Sequence, residues 1–483
     1  MEISELLKDV EIIETKGNTA VTIEEITNDS RKVKSNWLFI AVRGVNVDGH
    51  DFIQQVTEQG ASAIVCEAMP KAINENLLYV VVKNSAIALG QIASNWYGRP
   101  SENLKLIGIT GTNGKTTTVT LLHRMLTKLG FKAGLLSTVR NIVGDREVEA
   151  TQTTPDPIQL HRLLSEMVGI GCDYCFMEVS SHAAHQHRIA GLKFAGAIFS
   201  NLTQDHLDYH KTFADYRDAK KMFFDNLSAN AFALVNVDDR NGMFMLQNCK
   251  ANKYTYSLQN MADFRCKVIE SSFSGMQLDI DGNEVWTPFV GRFNAYNLLA
   301  VYSVARILGF EAQETLTIIS TLGAVDGRFQ CQRSKSGKVA IVDYAHTPDA
   351  IENVLTAIKA VTEGAHQIIT VTGAGGNRDK TKRPIMAAIA AEMSDKVILT
   401  SDNPRYEEPT EIIADMAKGV ENQLSKVLCI TDRAEAIKTA CMLAQPGDVI
   451  LIAGKGHETY QEVKGVKHHF DDREIVKQIF DQE

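Results

Sequence analysis

The stretch from Leu106 to Leu129, LIGITGTNGKTTTVTLLHRMLTKL, decides the fold of this chain. Its apolar beginning breaks at glycines, and after Lys115 apolar residues recur every three to four positions, as on one face of a helix. Gly130 follows at the place where a helix C-cap is expected. The stretch therefore predicts a strand, a phosphate-binding loop and a helix.

The loop has the chemistry of a phosphate site. Gly111 and Gly114 allow backbone N–H groups to turn toward phosphate oxygens, Lys115 supplies a cation, and Thr116 can ligate Mg2+. Ile109 stands where the standard pattern has its first glycine, so this is a shorter variant of the loop. A plain glycine-rich turn is the alternative, but strand, loop, Lys-Thr and helix occur together here. The sequence thus predicts ATP binding and leaves open how the phosphate is used.

The composition limits the class of protein. The chain has 483 residues, with 50 basic against 59 acidic side chains and a net charge of −9. Such a length predicts two to four domains, and an acidic balance argues against a nucleic-acid-binding surface. The N-terminus has no signal-type apolar region, and no stretch reaches the length of a membrane span. A cytoplasmic location is therefore expected.

The eight cysteines do not indicate a disulfide framework. Cys172 and Cys175 form one CxxC pair, but no second pair accompanies it at the spacing of a zinc site. The surrounding segment CDYCFMEV has the pattern of a strand. Both cysteines are therefore predicted to be buried thiols.

Patterns of strand and helix divide the chain into three α/β units. Residues 1–98 form a small mixed unit, which ends where glycine and proline break a helix. Residues 99–328 alternate strands and helices, which predicts a mostly parallel sheet with a nucleotide at its C-terminal edge. Residues 329–483 predict a Rossmann-like unit. Arg378 replaces the third glycine of its GxGxxG-like turn, so a nicotinamide site is not expected.

Seven strands are predicted in the second and third units, at 173–179, 195–200, 231–237, 339–342, 367–371, 396–400 and 449–453. Polar clusters follow the first three of them, at 178–182, 201–206 and 236–239. Because parallel strands end at one edge of a sheet, these clusters are expected to meet in space.

Eight motifs occur in order along the chain: GTNGKTTT at 111–118, MEVSSH at 177–182, NLTQDHLDYH at 201–210, GRFNAYNLLA at 291–300, DYAHTPDA at 343–350, GGNRDKTKRP at 375–384, DNPR at 402–405 and GKGHE at 454–458. Together they resemble the Mur ligases of peptidoglycan synthesis, which serve cell wall biogenesis, cell shape and cell division. The resemblance implies an ATP-dependent amide ligase, with ATP and Mg2+ as cofactors, and a monomer is expected. In the implied reaction ATP phosphorylates a substrate carboxylate, and the amine of an amino acid then attacks the acyl phosphate.

The resemblance also implies the catalytic residues, which are Lys115, Glu178, His206 and Lys220. The implied metal ligands are Thr116, Glu178, His206 and Lys220, the last as a carbamate. An unmodified ammonium group would repel Mg2+, which is the physical reason to expect this modification. The neighbouring Lys221 leaves the choice of lysine open, since a solvated helix face would also explain two adjacent lysines.

Three further histidines, His182, His185 and His187, are expected to be surface or satisfied buried groups. The implied ATP site comprises Gly111, Thr112, Asn113, Gly114, Lys115, Thr116, Thr117, Asn294, Asn297, Arg328, Asp343, Tyr344 and His346. The asparagines and the tyrosine can equally be helix-surface and core residues.

The UDP-linked substrate, UDP-MurNAc-L-Ala-D-Glu, is expected between the first two units. The residues that the resemblance implies for it are Ser30, His50, Thr153, Thr154, Ser180, Gln186 and Arg188. For the two threonines, which precede Pro155, a helix-start turn is the alternative.

The third unit is expected to select the amino acid. meso-Diaminopimelate differs from L-lysine by one carboxylate, and an arginine can hold a carboxylate through two parallel hydrogen bonds. The DNPR motif supplies such an arginine and resembles the signature of diaminopimelate-adding ligases. The implied residues are Arg378, Asp402, Asn403, Pro404, Arg405, Gly454 and Glu458. A proline turn with a solvated arginine is the alternative for this motif taken alone.

Other functions stay open at this point. A lysine-adding ligase is possible if Arg405 points away from the substrate. A D-alanyl-D-alanine-adding ligase or a folylpolyglutamate synthetase is not expected to combine DNPR with GGNRDK and GKGHE. A phosphate-loop ATPase acting as a switch belongs to another class, and phosphate release that requires both ligase substrates would exclude it.

Overall fold

The computed structural model describes residues 1–44, 47–150, 152–362 and 364–483, apart from the side chains of residues 207, 208 and 424. Three large sheets follow one another along this part of the chain. Each has a buried apolar cluster on both of its faces, formed with the helices that cover it. Two-sided burial explains why the central strands are nearly continuous apolar runs. The protein is therefore an α/β protein, as the sequence predicted.

The first sheet has five strands in the order β1-β5-β4-β3-β2, with β1 antiparallel to β5 and the other pairs parallel. Its strands are β1 Ile12–Lys16, β2 Glu25–Thr27, β3 Trp37–Ile40, β4 Ala63–Cys66 and β5 Leu78–Val82. Its helices are α1 Ile3–Leu6, α2 Ile53–Glu58 and α3 Ser85–Trp96, with a short 3-10 helix at Gly49–Phe52.

The second sheet has eleven strands, β6 Lys105–Thr110, β7 Ala133–Leu136, β8 Asn141–Val143, β9 Arg146–Val148, β10 Tyr174–Glu178, β11 Gly196–Phe199, β12 Phe232–Asn236, β13 Asn252–Ser257, β14 Phe264–Ser272, β15 Gly275–Ile280 and β16 Asn283–Thr287. Their order is β16-β15-β14-β13-β12-β11-β6-β10-β7-β8-β9. Neighbouring strands from β14 to β7 in this order are parallel, and the pairs at both ends of the sheet are antiparallel. The helices are α4 Lys115–Lys128, α5 Pro157–Gly169, α6 Ser181–His185, α7 Leu207–His210, α8 Phe213–Asp225, α9 Gly242–Met245, α10 Arg292–Ile307 and α11 Ala312–Ser320, and a 3-10 helix spans Pro100–Glu102.

The third sheet has six strands in the order β17-β18-β22-β19-β20-β21, parallel except for the edge strand β17. The strands of this unit are β17 Gln330–Arg333, β18 Val339–Asp343, β19 Ile368–Thr372, β20 Lys396–Leu399, β21 Val427–Cys429 and β22 Val449–Ala453, followed by the hairpin β23 Tyr460–Val463 and β24 Val466–His469. Its helices are α12 Pro348–Thr362, α13 Lys382–Met393, α14 Pro409–Ala417, α15 Arg433–Leu443 and α16 Asp472–Asp481, with a 3-10 segment at Glu421–Lys426.

The seven predicted strands are present as β10, β11, β12, β18, β19, β20 and β22, with ends within one residue or two of the predicted ones. Cys175 lies in β10, whereas Cys172 lies in the turn before it, which corrects the assignment of both to a strand. Both thiols are buried and free. The domain boundaries after residues 98 and 328 stay predictions; α3 ends at Trp96 and β17 begins at Gln330.

The strand order of the second sheet positions the site. The central strand β6 lies between β10 and β11. The strands that follow β6 in the chain, β7 and β10, are added on one side of it, and the later strands β11 and β12 on the other. In open parallel sheets, ligands bind in the crevice where the strand order changes direction in this way. The phosphate loop follows β6, Glu178 ends β10, and Ser200 follows β11, so all three come together at this edge. Separately, no helix in the described ranges is long and apolar enough to cross a membrane.

Candidate active site

A cavity of about 1200 Å³ opens at the C-terminal edge of the second sheet and extends to the third unit. Most of the predicted site residues line it, although they come from segments up to 346 residues apart, from Thr112 to Glu458. The predicted residues that line the cavity are Thr112, Asn113, Gly114, Lys115, Thr116, Thr117, Thr153, Glu178, Ser180, His206, Lys220, Asn297, Arg328, Asp343, Tyr344, His346, Arg378, Asp402, Asn403, Arg405, Gly454 and Glu458.

The phosphate loop is held in place by the end of the neighbouring strand. The backbone N–H groups of Thr112 and Asn113 donate to the main-chain and side-chain oxygens of Asn201, both at 2.9 Å. Gly114 precedes α4 with a φ of +85°, and a Cβ atom there would lie 2.5 Å from Asn297 Oδ1. Left-handed backbone and this close approach both require glycine. The loop is thus preshaped, with the N-terminus of α4 facing the cavity.

Lys115 folds back onto the loop that precedes it. Its Nζ atom donates to the carbonyl oxygens of Gly111 at 2.9 Å and Thr112 at 2.8 Å. Burial lowers the pKa of this ammonium group. A phosphate oxygen would offer the buried cation an anionic acceptor in place of neutral carbonyls.

Glu178 is almost fully buried at the end of β10, with 1% of its surface exposed. Its Oε1 atom accepts hydrogen bonds from Thr116 Oγ1 at 2.9 Å and from the N–H of Thr138 at 2.8 Å. Its Oε2 atom accepts one from Thr138 Oγ1 at 3.1 Å. The carboxylate and the loop threonine are therefore adjacent. Thr138 was missed by the sequence analysis because no motif or periodicity marks it.

His206 lies in a left-handed backbone conformation, with a φ of +54°. Its Nε2 atom is 3.4 Å from Asp205 Oδ2, and its ring packs edge-on against that of His182 with centroids 4.9 Å apart. Burial lowers the pKa of His206 to about 3, so the imidazole is neutral near pH 7. A neutral imidazole is the form that ligates metals. His182, which the sequence analysis set aside, also lines the cavity.

Lys220 and Lys221 face different surroundings. Lys220 has 1% of its surface exposed, lines the cavity, and donates from Nζ to Gly111 O at 2.8 Å. Burial and the nearby Lys115 lower the pKa of Lys220 well below its usual value. Lys221 instead hydrogen-bonds to Asp225 and to the carbonyl oxygen of Gln247, on the far side of α8. The structure therefore favours Lys220 as the lysine of the site.

The two asparagines of α10 have different positions. Asn297 lines the cavity and donates from Nδ2 to Asn294 Oδ1 at 3.2 Å. Asn294 is buried behind it and donates to the carbonyl oxygen of Val290 at 2.8 Å. Asn294 thus supports Asn297 from behind, and the contact of either asparagine with a nucleotide stays a prediction.

The junction between the second and third units closes one side of the cavity. Arg328 donates from Nη2 to Thr116 Oγ1 at 3.1 Å, and its guanidinium group lies 4.6 Å from the centroid of the Tyr344 ring. Asp343 accepts from the N–H groups of Phe329 at 2.7 Å and Ala345 at 2.8 Å. Each of the two carboxylate oxygens of Asp343 therefore accepts a hydrogen bond that holds the junction. Burial raises the pKa of this carboxyl group.

His346 also belongs to this junction, where its Nδ1 atom is 2.8 Å from the carbonyl oxygen of Tyr344. Burial lowers the pKa of His346 to about 4. A neutral ring that donates from Nδ1 leaves Nε2 as an acceptor. The histidine therefore presents an uncharged acceptor toward the cavity.

An apolar side of the cavity lies between β14, β15, α10 and α12. The helices α10 and α12 both contact β14. The side chains that line this part are Leu258, Val268, Met276, Phe293, Tyr296, Val354 and Ala357. Sequence reasoning did not select them, because apolar residues at helix and strand spacing are indistinguishable from core.

Two arginines lie at the other end of the cavity, in the third unit. Arg405 has a φ of +52°, donates from Nη1 to Gly376 O at 2.7 Å, and has its Nε atom 3.5 Å from Glu462 Oε2. A Cβ atom on Gly375 would lie 3.0 Å from Arg405 Nη1 and 3.8 Å from Arg378 Cγ. Glycine at this position therefore leaves room for both arginines to reach the same space.

Acidic and amide groups face these arginines. Asp402, Asn403 and Glu458 line the cavity, and Asn403 donates from Nδ2 to Glu458 Oε2 at 2.7 Å. Pro404 does not line the cavity; its carbonyl oxygen would lie 1.9 Å from a Cβ atom on Gly376. Pro404 shapes the backbone here, and its contact with a ligand stays a prediction. This end of the cavity thus offers both cations and carboxylates, as a zwitterion requires.

Gly111 and five residues predicted for the UDP-linked substrate do not line this cavity, namely Ser30, His50, Thr154, Gln186 and Arg188. Ser30 and His50 belong to the first unit. His50 uses both ring nitrogens internally, with Nδ1 2.6 Å from Asp48 Oδ1 and Nε2 accepting from the N–H of Glu67 at 2.8 Å. Both ring nitrogens are therefore hydrogen-bonded within the first unit, and the assignment of His50 to the UDP-linked substrate stays a prediction.

Three of the remaining residues form connections around the end of β10. Thr154 is buried and donates to the carbonyl oxygen of Glu178 at 2.8 Å, and its assignment as a substrate contact stays a prediction. Gln186 accepts from Arg188 Nε at 2.9 Å and donates to the hydroxyl of Tyr209 at 3.0 Å. Thr153 and Ser180 line the cavity beside them.

Comparisons with known proteins agree with the motif order. Residues 22–97 match the family model described as the Mur ligase family catalytic domain, residues 109–305 that of the Mur ligase middle domain, and residues 327–456 that of the Mur ligase glutamate ligase domain. Proteins named UDP-N-acetylmuramoyl-L-alanyl-D-glutamate–2,6-diaminopimelate ligase are similar over the full length. That of Cytophaga hutchinsonii is 56% identical over 100% of this chain and 99% of its own, and that of Parabacteroides distasonis is 57% identical over 99% of both.

A solved structure of a protein with the same name superposes with a TM-score of 0.69. It is 32% identical to this chain, and the superposition covers 97% of each. A ligase of known structure therefore shares the overall fold of this chain.

Proposed function

Since the chain belongs to the Mur ligase family, we propose that the cavity between its second and third units is the active site of a peptidoglycan-precursor ligase. The enzyme uses ATP to join meso-diaminopimelate to UDP-MurNAc-L-Ala-D-Glu. The observation that carries the assignment of the site is that one cavity is lined both by the phosphate loop and by Arg405. A phosphate site and a carboxylate site in the same space suit a reaction that activates one carboxylate and recognises another.

ATP is proposed to lie with its phosphates at the loop and its base at the apolar side. The N-terminus of α4, Lys115 and Arg328 supply positive charge for the phosphates. Phe293, Tyr296 and Val354 offer apolar surface for a flat, uncharged base. Asn297 lies between these two parts, beside Gly114. This placement requires no movement of the sheet, only that Lys115 leaves its two carbonyl acceptors.

The donor set beside the loop fits Mg2+. Glu178 supplies a carboxylate, Thr116 a hydroxyl and His206 a neutral imidazole, and the first two are hydrogen-bonded to each other at 2.9 Å. In the described ranges no group of three His, Cys, Asp or Glu side chains forms a closed metal site. That fits an ion that retains water and phosphate oxygens in its shell. When bound, the ion neutralises charge on the phosphates.

Lys220 is proposed to carry a carbamate. Burial lowers the pKa of this amine well below its usual value, which favours its neutral form. The neutral nitrogen can attack CO2, so that an N–C bond forms, one C=O π bond of CO2 becomes the anionic C–O bond of the carbamate, and the nitrogen releases a proton. The product places an anionic oxygen where the unmodified amine donates to Gly111 O. This change replaces an amine beside the phosphate loop by an anionic oxygen that can ligate a metal ion.

The proposed reaction proceeds through an acyl phosphate. A carboxylate of the UDP-linked substrate attacks the terminal phosphate of ATP and displaces ADP. The amine of diaminopimelate then attacks the activated carbonyl, loses a proton and expels phosphate. The chain's own residues align these groups and exclude water from the acyl phosphate. Arg405 and Arg378 are proposed to hold the distal carboxylate of diaminopimelate, and Glu458 its ammonium group. A cytoplasmic location, which is where ATP is available, is part of this proposal.

The proposal is tested by an assay of ADP formation with purified protein, UDP-MurNAc-L-Ala-D-Glu and either meso-diaminopimelate or L-lysine, with product identification by mass spectrometry. We expect ADP formation that depends on both the UDP-linked substrate and diaminopimelate, and a product with the mass of the amide. A lysine-containing product formed at equal efficiency would replace the proposal by the lysine-adding alternative. Phosphate release without either substrate would favour an ATPase switch.

A further inference from the structure

We propose that Lys455, which lies behind the cavity wall, is a positioning residue that selects the amino-acid substrate. Its side chain is fully buried, with 0% of its surface exposed. Its Nζ atom is 3.0 Å from Asn403 Oδ1 and 3.0 Å from Glu458 Oε2, and both of these partners line the cavity. The inference rests on the proposed function, because it concerns the residues that would hold diaminopimelate.

The first consequence concerns the orientation of the Asn403 amide. Its Oδ1 atom receives two donors, Lys455 Nζ and the N–H of Glu462 at 2.9 Å. Since neither donor can accept a hydrogen bond, the oxygen of the amide must be the atom that faces them. The amide NH2 group is thereby turned toward Glu458 and the cavity. One of its hydrogens bonds Glu458 Oε2, and the other is left to donate to a carboxylate of the substrate.

The second consequence concerns Glu458. Lys455 Nζ and Asn403 Nδ2 both donate to the same oxygen, Oε2. The other carboxylate oxygen is left for a ligand in the cavity that Glu458 lines. Within this cluster, Lys455 offsets one of the two negative charges of Asp402 and Glu458.

Burial makes this arrangement specific. A lysine with no exposed surface cannot exchange its partners for water, so loss of its charge leaves a buried carboxylate unpaired and an amide free to flip. Lys455 thus fixes a donor for the carboxylate and an acceptor for the ammonium of one zwitterionic end of the substrate. It touches neither group itself.

The test compares steady-state kinetics of Lys455→Met, Glu458→Gln and the double variant, with Lys438→Met as the matched control. Lys438 is an exposed lysine of α15 that lies 3.8 Å from Glu435 and outside the cavity. For Lys455→Met we expect the KM for meso-diaminopimelate to rise at least about tenfold, the size of effect of a lost charged hydrogen bond. The KM values for ATP and the UDP-linked substrate should stay within about twofold. Lys438→Met should match the wild type in all three.

Coupling distinguishes positioning from general damage. If Lys455 acts through Glu458, Lys455→Met should raise the KM for diaminopimelate by a smaller factor in the Glu458→Gln background than in the wild type. The two factors should differ at least threefold. The double variant also lacks the unpaired carboxylate, so it provides the comparison if Lys455→Met alone fails to fold. An unchanged KM for diaminopimelate, equal increases in all three KM values, or fully additive effects would each overturn the inference. A wild-type enzyme that makes no diaminopimelate product would instead overturn the proposed function.

Discussion

The carboxylate of Asp349, in the first turn of α12, accepts a hydrogen bond from the side-chain amide of Asn113 in the phosphate loop at 2.7 Å. Its Oδ2 atom also accepts from Thr203 Oγ1 at 3.1 Å and from Asn353 Nδ2 at 3.0 Å. One carboxylate of the third unit thus connects the loop after β6 with the segment after β11. This contact ties the position of the third unit to the shape of the phosphate site.

Replacement of Asp349 by alanine should weaken ATP use. The loop would lose its link to α12, and three donors would lose their common acceptor, so we expect the KM for ATP to rise about tenfold or more. Glu352→Ala, at an exposed position of the same helix, is the control and should leave this KM unchanged. Equal KM values for the two variants would show that the contact does not shape the site.

Lys220→Ala should reduce kcat by about 100- to 1,000-fold, the cost of removing one preorganised electrostatic group from an active site. Short carboxylates such as acetate should restore part of the activity, because they can replace the carbamate oxygen. Lys221→Ala is the matched control, since that side chain bonds Asp225 and Gln247 outside the cavity. Wild-type turnover in Lys220→Ala would contradict the proposed carbamate.

Arg405→Ala should affect the amino acid far more than the nucleotide. Loss of the partner of a buried carboxylate costs about 2–5 kcal/mol, so kcat/KM for meso-diaminopimelate should fall by at least about 30-fold. Arg405→Lys should fall between the wild type and alanine, because lysine keeps the charge without the two parallel hydrogen bonds. The KM for ATP should not change. Undiminished use of diaminopimelate by Arg405→Ala would remove the basis for its assignment as a carboxylate-binding residue.

Gly114→Ala should abolish or strongly weaken ATP binding, measured by calorimetry. A Cβ atom at this position meets Asn297 Oδ1 at 2.5 Å, in a backbone with a φ of +85°. Gly130→Ala introduces the same kind of backbone strain, with a φ of +89°, but has no atom within 4 Å of the new Cβ. The control should lose about 1 kcal/mol of stability and keep its affinity for ATP. Equal affinities in the two variants would indicate that the loop adapts without loss of function.

The sequence was informative about the fold because burial leaves a direct trace in it. Strands such as β10 and β22 are covered on both faces, so they appear as unbroken apolar runs with ends predicted to within about a residue. The site was partly predictable for a similar reason. Parallel strands end at one edge, and the polar residues that follow β6, β10 and β11 were therefore expected to meet.

Other members of the site had no such trace. Thr138 and Asp349 act through hydrogen bonds to residues far away in sequence, and Lys455 acts partly through such a bond to Asn403. No periodicity records contacts of that kind. Asn294 and Asn297 are equivalent in spacing, yet only the packing of α10 against the phosphate loop decides that Asn297 faces the cavity. His50 shows the opposite case, since a polar cluster that resembled a binding loop proved to be closed by its own hydrogen bonds.

By itself, the sequence determined the α/β class, the phosphate loop, and the presence of a lysine and an arginine that suit an ATP-dependent ligase. These properties depend on local pattern and on residue type. Only the tertiary structure decided that Lys220 rather than Lys221 faces the loop, and that Arg405 shares one cavity with Lys115 although 290 residues separate them (405 − 115 = 290). The physical reason is that burial, pKa and hydrogen-bond partners depend on neighbours in space, which the order of residues along the chain does not specify.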